Sequence, residues 1–237
     1  MTHILKAQAR SVATTKVAVP GVLALAAYVI LTGLAPAVLF GQHRDTHTVL
    51  EAGATVAAVT AMLLGALQTA GDLNNGMTRA LLLADPRRLR VLGAQLLVSL
   101  GLGATVGAAA ALLADSTQAV LGQLNLPAAS FVSIGLGTAV TASLCGLLGA
   151  AAGVILRNPA LAACVIVLWS YALDPFISTL SYRVYIYLPG GARESLVRHV
   201  SAHHYIPPPT AGGLILAGWA SAAALAAALT FTRRDLA

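Results

Sequence analysis

From residue 52 to residue 70 the chain carries no charged side chain, and apolar stretches of similar length recur at about 17–40, 91–113, 129–156, 160–182 and 210–231. Each is long enough for a helix to cross roughly 30 Å of hydrocarbon at about 1.5 Å per residue. Such stretches read as membrane-spanning helices joined by short connections. With 58% hydrophobic residues, 9% charged residues and a mean hydropathy of +0.82, the chain lies outside the soluble globular range. The six stretches use most of the 237 residues, so one transmembrane domain over residues 1–237 is expected, with no room for a second folded unit.

The 14 Lys and Arg residues are spread unevenly between the stretches. With both termini in the cytoplasm, ten fall on that side: Lys6, Arg10, Lys16, Arg79, Arg87, Arg88, Arg90, Arg157, Arg233 and Arg234. Four remain outside: Arg44, Arg183, Arg193 and Arg198. Short cytoplasmic loops carry an excess of basic residues, so this bias predicts six transmembrane helices, N-in and C-in, in an all-α membrane protein. The net charge of +6 then orients the chain in a bilayer, and nucleic acid is not expected as a partner. Cys145 and Cys164 fall inside apolar stretches, where a free thiol behaves as a small apolar residue and a disulfide framework is not expected.

Residues 71–92, GDLNNGMTRALLLADPRRLRVL, are the longest run dense in polar and charged residues. Four arginines crowd into residues 79–90, which marks a cytoplasmic loop between spans two and three. Leu73, Met77 and Leu81 recur at four-residue spacing and would form one apolar stripe of a short interfacial helix. Asp72 is a candidate N-cap, Pro86 a stop, and Asp85 is biased out of the helical region by that proline. Periodicity alone leaves a solvated connecting loop as the equal alternative.

An acidic residue four before a glycine, a nearby threonine, a Leu-Leu pair and then Pro followed by arginines resemble the coupling-helix region of permease subunits of type-two ABC exporters (ABC-2). The matching positions are Asp72, Gly76, Thr78, Leu81, Leu82, Pro86, Arg87 and Arg88. Two departures are visible. Met77 stands where a threonine often follows the glycine, and Gln95 stands where a lysine is frequent early in the next span. The resemblance implies a multi-pass chain in the plasma membrane, engaged at this segment by a separate ATPase subunit. Thr78, Arg79, Arg87 and Arg88 would meet that partner, while Leu73, Met77 and Leu81 would seat the helix. It also implies a second permease chain, identical or not, and places ATP and Mg in the partner ATPase, with no cofactor in this chain.

Elsewhere, Ile4, Leu5, Ala9, Val12 and Ala13, interleaved with Lys6, Arg10 and Lys16, read either as an amino-terminal interfacial helix, which the same resemblance implies, or as a basic tail. His43 and His47 have helical metal-ligand spacing, but no glutamate accompanies them in a metalloprotease pattern, and a solvated pair is the expectation. Gly103 with Gly107, and Gly149 with Gly153, have the spacing that lets helix backbones approach closely. Gly101, Gly103 and Gly107 miss the dinucleotide fingerprint and follow no strand. Asp174, before Pro175, is an ionisable group inside a span: either a functional site or a residue left at the interface by an early helix break. Between the last two spans, Leu196, Val197 and Val200 beside Arg193, Glu194 and Arg198 predict a short external amphipathic helix, and the resemblance implies a re-entrant helical hairpin or external helices here.

All six histidines lie outside the apolar stretches, and no phosphate-binding loop occurs, so nucleotide hydrolysis would have to come from another chain and the chain itself is not expected to be an enzyme. A proton- or sodium-coupled carrier generally needs ionisable groups near mid-membrane, and Asp174 is the one such group. The readings left are an exporter permease, an ion-coupled carrier resting on Asp174, and a non-transporting membrane scaffold.

Overall fold

A computed structural model describes residues 46–84, 87–120, 128–197 and 207–233. The expected amino-terminal interfacial helix, the expected span at 17–40, His43, Pro86 and the side chain of Arg79 lie outside the described residues. Among those described, all regular structure is helical. In order these are α1 Thr46–Asn74, α2 Met77–Ala84, α3 Arg88–Val120, α4 Ala128–Leu156, α5 Pro159–Leu168, a π turn Trp169–Leu173, α6 Asp174–Leu180, α7 Tyr182–Tyr185, α8 Pro189–Val197 and α9 Pro209–Arg233. Five stretches, Gly53–Asn74, Arg88–Ser116, Val132–Leu156, Pro159–Leu180 and Pro209–Arg233, are long and apolar enough to cross a bilayer. The chain is therefore a multi-pass α-helical membrane protein.

Helix α4 sits at the centre, packed most extensively on α1 and α3 and also touching α5, α8 and α9. The seams are made of backbone against backbone. A Cβ on Gly149 would run into the Met62 carbonyl, one on Gly153 into Ala66 and Thr69, and one on Gly103 into the Ala142 carbonyl. A Cβ on Gly107 would likewise come within 2.8 Å of Ala139 Cα. The close approach expected of both glycine pairs is present. Without a hydrophobic drive between helices in lipid, such contact supplies the dispersion that holds them. Thr69 bridges the α1–α4 seam, its hydroxyl 2.9 Å from the Gly65 carbonyl and 3.0 Å from that of Ala150.

The two ends of the bundle are distinct. At one, Leu92, Ala151, Val154, Ala227 and Phe231 form a core on which Leu73 and Leu82 pack, so the end of α1, helix α2 and the end of α9 meet there. At the other, Ala54, Ala114, Ile134 and Val197 come together, which places the tip of α8 among the beginnings of α1 and α4 and the far part of α3. The outer faces present large apolar side chains such as Leu97, Leu112, Leu168, Phe176, Leu214 and Leu225, as a lipid-facing surface requires.

Several boundaries differ from the sequence reading. Helix α1 starts at Thr46 and α3 runs to Val120, so both extend into segments expected to be loops. Helix α8 is not an amphipathic helix lying outside. Pro189, Gly190, Gly191, Ala192, Arg193, Ser195, Leu196 and Val197 are all buried, and the helix packs on α9, α4 and α1. Two glycines make this possible: a Cβ on Gly137 would strike the Leu196 carbonyl, and one on Gly212 would strike Ser195 Oγ. The turn between α4 and α5 is tight as expected. Arg157 adopts φ 54°, and Asn158 caps α5, its Oδ1 accepting from Ala160 N at 3.0 Å and Leu161 N at 3.3 Å ahead of Pro159.

Candidate coupling site

The polar segment between α1 and α3 does hold a short helix, but it begins later than its residues suggested. Asp72 lies in the last turn of α1 and is not the N-cap of α2. Asn75 N–H donates to the Gly71 carbonyl at 2.8 Å, closing α1, and Gly76 follows at φ 73°. A glycine in the left-handed region ends a helix because it satisfies the last carbonyls at no Cβ penalty. Here that stop overrides the capping preference of Asp72. Ala80 N–H then donates to the Gly76 carbonyl at 3.1 Å and α2 begins.

Helix α2 turns several of its described side chains toward the bundle. Thr78 and Leu81 are buried, and Leu82 packs on the core shared by α3, α4 and α9. Thr78, expected to face a partner, is turned inward, where its Oγ1 accepts from Gln95 Nε2 at 3.1 Å. Gln95, which stands where the exporter pattern often has a lysine, is therefore in contact with Thr78, a position that matches the pattern. Ser99 Oγ in turn donates to the Gln95 carbonyl at 3.0 Å. Leu73, Met77 and Leu81 do not make one stripe of α2, because Leu73 belongs to α1 across the Gly76 break; Leu73 and Met77 are half-buried and Leu81 is buried.

Among its described side chains α2 exposes Ala80 and Leu83, the latter 90% exposed and a residue the sequence reading passed over. Three consecutive leucines on one helix cannot share a face at about 100° per residue, and with Leu81 inward Leu83 must point roughly opposite. Beside it, Arg87, Leu89 and Arg90 are exposed. Arg88 is half-buried and reaches the carboxyl-terminal end of α9, its Nη1 3.4 Å from the Thr232 carbonyl. Leu83, Arg87, Leu89 and Arg90 are thus all exposed where α2 and the start of α3 meet the bundle.

Asp174, the other candidate, is buried, and it is paired. Arg193 Nη2 donates to its Oδ2 at 2.7 Å from 19 residues further along the chain. Removing one partner of a buried pair strands the other charge, at a cost of roughly 3–5 kcal/mol. Nearby, burial pushes the Tyr185 phenol above its ordinary value, reinforced by the negative charges of Glu194 and Asp174, so it stays protonated. No protein-family model and no curated protein matches the chain.

Proposed function

We propose that the chain is the membrane-spanning permease subunit of an ATP-driven exporter of the type-two ABC class. It forms a substrate pathway in the plasma membrane with a second permease chain, with six spans and both termini inside, and is coupled to separate ATPase subunits that carry ATP and Mg. The observation that carries this reading is α2 itself: a short helix between two spans, fastened inward through Thr78 and Leu81 while presenting Leu83 beside exposed arginines. A helix held by the bundle on one side and open on the other is suited to pass a push from a motor subunit to α1 and α3. Backbone-close seams along α4 give the bundle discrete packing arrangements between which such a push could switch it.

The ion-coupled carrier is the weaker reading, because Asp174, the acid it rests on, is committed to Arg193. The exporter reading is tested by asking whether the neighbouring reading frame encodes a soluble ATPase with a phosphate loop, co-expressing the chain with it and measuring capture and ATPase stimulation in liposomes. Substituting Gly76 and Arg79 by bulky or acidic residues should abolish the stimulation; unchanged coupling would count against the assignment. Absence of vesicle flux with an ATPase bound would favour the scaffold reading instead.

A further inference from the structure

The span that follows the Arg157 turn is not one continuous α-helix. Pro175 has no N–H to give, and its ring crowds the carbonyl four residues back, at Tyr171. The chain answers with the π turn over Trp169–Leu173, in which Asp174 N–H donates to the Trp169 carbonyl five residues back. Widening the helix by one residue shifts every later side chain around the axis, and Asp174 ends up inward while Leu173 and Phe176 stay exposed.

Across from it, α8 arrives glycine first. A Cβ on Gly190 would overlap the Asp174 carboxylate, so only glycine lets α8 come close enough for Arg193 to reach. The resulting pair has one contact, between Nη2 and Oδ2. Asp174 Oδ1, Arg193 Nη1 and Ser170 Oγ, four residues before Asp174, are sealed from solvent with no hydrogen-bond partner. A buried ion pair with unused valences on both sides is poor mortar: apolar residues of similar volume would hold the same position at least as well. What a pair joined by one hydrogen bond does offer is a joint that can part, closed as seen and open once water reaches both groups. Helix α8 is also held at its start by Trp219, whose Nε1 donates to the Tyr187 carbonyl at 2.9 Å, so a release at Arg193 would swing the helix about an anchored end.

We propose that Asp174 and Arg193 form a latch that holds α8 as a plug in the end of the bundle away from α2, and that its release opens that end. The role of this opening in transport rests on the exporter reading; the latch itself does not.

The test uses the full chain in liposomes with Cys145→Ala and Cys164→Ala, reporting on the buried tip of α8 through Val197→Cys and a charged, membrane-impermeant thiol reagent. The parent should label slowly. Asp174→Asn should label at least tenfold faster, and Asp174→Leu with Arg193→Met, an apolar replacement of the pair, should return to the parent rate. A second reporter, Leu92→Cys in the core at the other end, should stay protected throughout. If Asp174→Asn fails to insert, Gly190→Ala takes its place, because it keeps both charges while driving them apart. Parent-like protection in the charge-disrupted variant, equal labelling at both reporters, or fast labelling of the apolar pair would each overturn the latch. With an ATPase subunit and ATP present, the parent should label faster at Val197→Cys, and the Leu/Met pair should remain closed and carry no flux. An unchanged parent rate in a complex that hydrolyses ATP would remove the latch from the transport cycle.

Discussion

The side-chain amide of Gln95 donates to the hydroxyl of Thr78 at 3.1 Å, so the first turn of α2 is fastened to α3 by a neutral polar contact sealed from solvent. Gln95 Oε1 has no partner there, which makes the contact a single thread and not a network. Thr78→Val should leave the whole amide unsatisfied and lower stability by about 1–3 kcal/mol, whereas Thr78→Val with Gln95→Leu should be closer to neutral. Thermal unfolding in detergent reads both. In the proposed complex the double variant should fold yet transmit less ATPase stimulation, because α2 can then slide on α3.

Gly101 and Gly103 lie two residues apart on α3 and differ in what surrounds them. A Cβ at Gly101 meets nothing within 4 Å, while one at Gly103 enters the Ala142 carbonyl. Gly101→Ala should be neutral or slightly stabilising through helix propensity, by about 0.5–1 kcal/mol. Gly103→Ala has to push α3 off α4 and should cost about 1–3 kcal/mol. Equal melting temperatures for the two would refute the packing described.

Gly76 stands at φ 73° with open space around its α-carbon. The strain of a side chain there is purely in the backbone, so Gly76→Ala should cost about 1–2 kcal/mol and Gly76→Asn clearly less, since asparagine tolerates the left-handed region. Comparing the two melts separates backbone strain from crowding, which would rank the larger asparagine as worse.

Leu83 is 90% exposed and Leu81 is 9% exposed on the same helix. Leu83→Glu should change stability by less than about 0.5 kcal/mol while weakening capture of the ATPase subunit at least tenfold. Leu81→Glu should damage folding itself. Normal capture by the Leu83 variant would move the docking surface elsewhere.

The helical bundle, its arginine-rich end and the glycine seams were legible because each rests on local features: apolar length, charge between apolar runs, and small residues one helical turn apart. The short helix before α3 was legible as well, but its start was misplaced at Asp72, because a capping residue and a left-handed glycine compete and only the assembled backbone shows Gly76 winning. Helix α8 was misread for a different reason. Arg193 and Glu194 look like a solvent face, and nothing near them in the chain announces Asp174 on one side or the glycines at 137 and 212 that admit the helix.

Read alone, the residues determined that this chain lives in a membrane as helices and that its basic charge gathers between particular spans, since hydropathy and charge are summed along the chain. Which leucine of α2 faces outward, which polar groups meet across the α2–α3 contact, and whether the acid of the kinked span is an open site or half of an ion pair were decided by tertiary structure. Burial and pairing depend on what other helices bring to the same place, and Asp174 owes its state to an arginine 19 residues away and to a proline that turned its side chain inward.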